Sequence, residues 1–167
     1  MTKKIAYASV FTAVITILTM GSIPIPGGGY IHIGDSIIFL CCFILPMPFA
    51  LLAAGIGSFF ADFIIGYTLY APFTLVIKAA MAVIARLFVA KNDNMIIAIL
   101  GFLLASLVMQ TGYFFVNLLY FKYETSVIIV LINLVQTVAS VPIAYFLIKA
   151  VGRIPDLQNV RNLWRKT

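Results

Sequence analysis

Long apolar runs separated by short polar, glycine-bearing or proline-bearing stretches predict six membrane-crossing helices joined by short turns. The first run extends from about Ile5 to Met20 and closes at GSIPIPGGGYIHIGD, whose two prolines and three consecutive glycines cannot continue a membrane helix. A short second run, about Asp35 to Leu45, ends at PMP. Its prolines at 46 and 48 force a turn before the third run, about Phe49 to Ile65, so that runs two and three read as a tight helical hairpin. The fourth runs from about Ala71 to Val89 with Pro72 in its first turn, and KNDN at 91 to 94 marks the turn that follows. The fifth, about Met95 to Leu119, and the sixth, about Ser126 to Val151, flank YFKYET and are long enough to cross with some tilt. After Gly152 the tail RIPDLQNVRNLWRKT leaves the bilayer. No repeat or interior linker divides the chain, so residues 1 to 167 form one all-α, six-helix membrane domain.

Composition sharpens this picture. Of 167 residues, 63% are hydrophobic and 10% charged, whereas an ordinary soluble domain is about half apolar and about one quarter charged. The start, MTKKIAYASVFTAVITILTM, has the basic entry and apolar run of a secretory leader but no clean small-x-small cleavage site. A retained first span is expected. The net charge of +6 comes from 11 Lys and Arg against 5 Asp and Glu, and the position of the bases carries more information than their sum. With six crossings, Lys3, Lys4, Arg86, Lys91, Lys149, Arg153, Arg161, Arg165 and Lys166 fall on one side, Lys122 alone falls on the other, and Lys78 lies inside the fourth span. The positive-inside rule then places both termini in the cytoplasm of a multi-pass cell-membrane protein. Trp164, among Arg161, Arg165 and Lys166, is expected at the membrane interface beside anionic headgroups. The tail has neither the long basic run nor the interleaved aromatics of a nucleic-acid binder.

Candidate chemistry lies in the polar residues that lipid does not tolerate. Asp62, Lys78, Gln110, Asn117, Asn133 and Gln136 occur within predicted spans and should face the bundle interior or a cavity. A short turn between spans three and four can bring Asp62 and Lys78 together, either as a structural ion pair or as a pair that also contacts solute. Gln110, Tyr113 and Asn117 follow an i, i+3, i+7 pattern, and Asn133, Gln136 and Ser140 repeat it on the next helix. The two stripes are either interhelical glue or, with Tyr67 and Tyr70, the wall of a cleft for a small, flat, hydrogen-bonding solute. Tyr30, His32 and Asp35 can reach such a solute from the first loop or bond to one another locally.

Catalysis finds little support. The GGGYIHIGD loop has neither the dinucleotide nor the phosphate-loop pattern, and His32 is the only histidine, which argues against a histidine-built metal centre. No cofactor is expected. Cys41 and Cys42 are adjacent in an apolar run and read as buried filler. The serines have no recognisable elbow or basic partner.

The basic entry to span one, PIPGGGYIHIGD, the AAGIGSFFADFIIGY hairpin, YAPFTLVIKA and the two later polar spans together resemble the vitamin-binding S components of energy-coupling-factor (ECF) transporters over nearly the whole chain. The branch it looks most like includes riboflavin, pyridoxine and thiamine-precursor transporters. The resemblance implies an externally accessible site capped by the first loop and lined by spans four to six. It also implies no ATPase activity in this chain, with a transmembrane coupling protein and two cytoplasmic ATPases as partners. Family members often carry Ala-x-x-x-Ala on span one to dock the coupling protein, and the nearest match is Ser9-Val10-Phe11-Thr12-Ala13. Ser9 and Ala13 form the docking face that the resemblance implies, or Ala6, Ala8 and Ala13 pack within the protein. A pyridoxine-like or hydroxymethylpyrimidine-like solute is the leading expectation and riboflavin the next. A solitary secondary carrier and a membrane scaffold are the competing classes.

Overall fold

The computed structural model describes residues 2–25, 29–90 and 94–165. Most of the KNDN turn with its Lys91, the central part of the first loop, and Lys166 lie outside the described residues. In chain order the elements are α1 (Thr2–Met20), β1 (Ile23–Pro24), β2 (Tyr30–Ile31), α2 (Gly34–Ile44), α3 (Met47–Ile64), α4 (Ala71–Ala90), α5 (Met95–Tyr120), α6 (Tyr123–Val151) and α7 (Pro155–Arg165). The boundaries follow local chemistry. Pro46 caps α3 in an extended conformation, and the Asn94 side chain accepts the Ile96 N–H at 2.9 Å to begin α5.

Among the described residues, five helices, α1 and α3 to α6, are long and apolar enough to cross a membrane. The expected six-span architecture is met in part, because α2 has only 11 residues. At 1.5 Å per residue it covers roughly half of a hydrocarbon core of about 30 Å. The reason it can be short is its position: every residue from Gly34 to Cys42 is buried, and α2 packs against α1, α3, α4 and α6. A helix enclosed by other helices does not have to match the thickness of the lipid. Its Phe39 stacks on Phe102 of α5 with ring centroids 4.4 Å apart, and both cysteines are free and buried, as expected.

Small residues allow the long helices to approach closely. A Cβ at Gly57 would stand 2.9 Å from the Thr12 carbonyl oxygen of α1, and Thr16 Oγ1 donates to the Gly57 carbonyl at 2.9 Å across the same contact. On the outer side of this crossing, Ser9 and Ala13 are exposed and line an open groove with Ile17, Ile56 and Phe60.

The tail departs from expectation. Trp164 is only 4% exposed, with its ring edge-on to Tyr7 of α1 at 5.4 Å. The Arg161 guanidinium lies over the Phe43 ring of α2 at 3.7 Å. The tail folds back as a helix whose apolar side covers one end of the bundle, so protein rather than a lipid headgroup surrounds the indole. Arg86 is also not a free surface base: it is 5% exposed, and its Nη1 donates to the Cys42 carbonyl at 3.1 Å.

Candidate ligand site

At the end of the bundle where α1 stops and α2 begins, the two short strands pair antiparallel, Ile23 with Ile31 and Pro24 with Tyr30. Gly29 turns the chain at φ 83°, a left-handed conformation that glycine adopts without strain. Alternation along the extended backbone then sends Tyr30 and His32 to the same side, where both line a cavity of about 50 Å³, room for a few water molecules. The last turn of α3 supplies Asp62 and the connection to α4 supplies Tyr67 and Tyr70; α5 supplies Tyr113 and Asn117; α6 supplies Ile129, Asn133 and Gln136.

The upper wall is aromatic. Tyr30 and Tyr67 meet edge to face at 4.9 Å, and Tyr67 lies 6.2 Å from Tyr70. Tyr70 donates its hydroxyl to Asn117 Oδ1 at 2.7 Å, while Asn117 Nδ2 donates to the Tyr113 carbonyl at 2.7 Å. Asp62, 2% exposed, accepts from two hydroxyls. The Tyr30 hydroxyl reaches one carboxylate oxygen, and Thr74 Oγ1 reaches the other at 2.5 Å. Thr74 also shares a hydrogen bond with the Tyr113 hydroxyl at 3.0 Å. Thr74 is not among the residues that type alone singles out, although its position four residues before Lys78 puts it on the same face of α4.

The floor holds the ion pair, and its membership differs from expectation. Lys78 pairs with Asp35 of α2, Nζ to Oδ1 2.5 Å, rather than with Asp62. The central position of α2 brings Asp35 directly against α4, whereas Asp62 turns toward the first loop. Lys78 Nζ also contacts Met109 Sδ at 3.0 Å. Gln136 joins floor to lid: its Nε2 donates to Asp35 Oδ2 at 2.7 Å, and its Oε1 accepts the His32 backbone N–H at 3.2 Å. His32 Nδ1 accepts from the Gly34 N–H at 3.0 Å. Burial lowers the His32 pKa to about 4, with nearby Lys78 acting in the same direction against Asp35, so the ring is neutral near pH 7.

Of the predicted residues, Tyr30, His32, Asp62, Tyr67, Tyr70, Tyr113, Asn117, Asn133 and Gln136 line the cavity. Asp35 and Lys78 form the floor beneath it. Gln110 is turned to α6 instead, with Nε2 3.3 Å from Thr137 Oγ1. Among the residues lining the cavity, one buried donor is left over: Asn133 Nδ2 has no hydrogen-bond partner among the described residues. A site with one carboxylate, several phenols and a spare amide donor is suited to hold a polar aromatic ring by its edge. Among the described residues, no cluster of His, Cys, Asp or Glu has the makings of a metal centre.

The fold is that of a small helical membrane protein with a polar chamber enclosed at one end. More narrowly, the chain belongs to the S-component family of ECF-type transporters: residues 1–153 match the family described as ECF-type riboflavin transporter, S component. This is a family of transporter subunits, not of enzymes, and its members work with an energy-coupling module in vitamin transport. The chain is therefore a multi-pass cell-membrane protein. It is 35% identical over 146 residues to an uncharacterized protein of Pyrococcus woesei, covering 84% of this chain and 98% of that one. It is 27% identical over 167 residues to the thiamine precursor transporter HmpT of Lactococcus lactis subsp. cremoris (strain MG1363), covering 98% and 94%. A solved structure of the S component of a bacterial ECF transporter shares the fold with a TM-score of 0.76 at 17% identity, covering 90% of this chain and 96% of that chain.

Proposed function

We propose that this chain is the S component that captures a monocyclic vitamin precursor of the hydroxymethylpyrimidine or pyridoxine kind from outside the cell. It then delivers the precursor inward with a transmembrane coupling protein and two cytoplasmic ATPases. The observation that carries this reading is the pairing of polar groups across one small cavity: the Asp62 carboxylate on one wall and the unsatisfied Asn133 amide on another. An aminopyrimidine or hydroxypyridine ring offers a donor edge to the first and an acceptor to the second. A single ring widens a 50 Å³ cavity less than a fused tricycle does, which favours it over riboflavin. The similarity to a thiamine precursor transporter supports the same choice.

The distribution of basic residues supports an orientation with the termini and α7 in the cytoplasm and the cavity toward the outside. The exposed Ser9 and Ala13 face of α1 then offers the coupling protein a surface of small residues. The purified protein should retain a pyrimidine or pyridine detectable by mass spectrometry and bind it in titration with submicromolar affinity. Retention of riboflavin alone would replace the ligand assignment. Counter-ion-driven uptake in partner-free liposomes would replace the S-component mechanism with that of a solitary carrier.

Asn133 gives a second test. A buried donor without a partner costs about 1–3 kcal/mol. Asn133→Leu should therefore raise the melting temperature of the ligand-free protein while weakening ligand binding by roughly five- to tenfold, through loss of a hydrogen bond worth about 1–1.4 kcal/mol. A scanning melt and a titration on the same preparation measure both. Loss of stability together with unchanged affinity would remove Asn133 from the site.

A further inference from the structure

Around the chamber, carboxyl groups outnumber amines two to one. Asp62 lines it, and Asp35 and Lys78 lie beneath it. The ammonium is committed to Asp35 at 2.5 Å and stands behind the Tyr113 ring, 5.8 Å from its centroid. Two carboxylates therefore face one ammonium. Among the described residues lining the cavity there is no lysine and no arginine. His32, the other ring able to carry positive charge, uses Nδ1 as an acceptor for the Gly34 N–H and is kept neutral by burial. Beside the chamber, the N-terminus of α4 follows the lining residue Tyr70. There the Ala71 N–H is bonded to the Tyr67 carbonyl, the Thr74 N–H to the Tyr70 carbonyl, and Pro72 has no N–H. The N-terminus of α2 offers no free anion site either. Its Gly34 N–H is bonded to His32, its Ser36 N–H to the Ile33 carbonyl, and Asp35 already places a carboxylate in its first turn.

We infer that this cavity accepts the unphosphorylated form of its ligand and rejects the phosphate ester, and that Asp62 enforces the choice. The inference rests on the assignment of the cavity as the vitamin site and adds the charge class of the substrate. A phosphate monoester carries a charge of about −1.5 to −2 at neutral pH. Buried phosphates are held by arginine, lysine or a free helix N-terminus, and this chamber presents none of them. Its single ionisable ligand-facing side chain is instead the Asp62 carboxyl, 2% exposed to solvent, which offers a phosphate oxygen acceptors rather than donors, in a setting where like-charge juxtaposition is screened little. The same carboxylate favours a ring that presents an amine, a hydroxyl or a protonated nitrogen.

The test compares paired ligands on the full-length protein in detergent: hydroxymethylpyrimidine, pyridoxine and riboflavin, each against its own monophosphate. For a parent that binds, the ester should bind at least roughly 100-fold more weakly. In Asp62→Asn that ratio should fall below about tenfold, because the amide removes the repulsion and adds a donor. Asp62→Ser is measured alongside, and the ratio is read from whichever variant elutes as a monodisperse species. An ester that binds within about threefold of its parent overturns the inference, as does a ratio unchanged in the variants, which would mean that shape rather than charge excludes phosphate. If riboflavin binds and the single-ring parents do not, the ligand assignment fails while the charge rule is judged on riboflavin and its phosphate. If no parent binds, both fail.

Discussion

Lys78→Met should destabilise the protein by about 3–5 kcal/mol, the cost of breaking a buried ion pair by removing one partner. The pair is fully enclosed, with Lys78 and Asp35 each 1% exposed. Without the ammonium, the Asp35 carboxylate keeps only the Gln136 Nε2 donor at 2.7 Å, too little to replace the water it gave up on folding. The double change Lys78→Met with Asp35→Asn should recover most of the loss, because the amide that replaces the carboxylate carries no charge and its oxygen still accepts from Gln136. Thermal unfolding of the purified parent, single and double variants, followed by intrinsic fluorescence, measures the effect. Equal melting temperatures for Lys78→Met and the parent protein would show that the ammonium does not support the floor of the chamber.

Asp62→Ala should weaken ligand binding by roughly 10- to 150-fold, corresponding to about 1.5–3 kcal/mol for a hydrogen bond to a charged group. In the ligand-free structure the Tyr30 hydroxyl already bonds to one Asp62 oxygen and Thr74 to the other at 2.5 Å. A ligand that docks on Asp62 would compete with Tyr30 for that oxygen or share its remaining lone pair. Tyr30→Phe, which removes this competing donor and keeps the ring packed on Tyr67 at 4.9 Å, should bind within about threefold of the parent or more tightly. Calorimetric titration of both variants distinguishes the roles. Weak binding by Tyr30→Phe would make the Tyr30 hydroxyl a direct ligand contact, and full affinity in Asp62→Ala would exclude the carboxylate from the site.

Much of the site was legible because lipid is an intolerant solvent. A polar residue in an apolar run needs a partner or a cavity, and that rule alone led to Asp62, Asn117, Asn133 and Gln136. The periodicity of α5 and α6 put their polar stripes on facing surfaces, although Gln110 lies past the depth of the chamber and bonds to Thr137. Partnership was harder to read. The short connection between α3 and α4 made Asp62 the natural mate for Lys78, but nothing local to Asp35 shows that α2 sits at the centre of the bundle, and that placement decides the pair. Thr74 escaped notice because a threonine in a membrane helix usually bonds back to its own backbone; here its hydroxyl turns to Asp62. The fold-back of α7 depends on the Trp164 contact with Tyr7, residues at opposite ends of the chain, and no short-range pattern encodes it.

The brevity of α2 also bears on what the ligand contributes to the protein. A central helix of 11 residues fills only about half of the axis that the surrounding helices enclose. The other half is occupied by the descending loop and the chamber. A bound vitamin would therefore sit where further turns of α2 would otherwise run, acting as a removable part of the packed interior as well as cargo. Delivering it to the cytoplasm means withdrawing that part of the core, so each transport cycle would return the subunit to its less stable form.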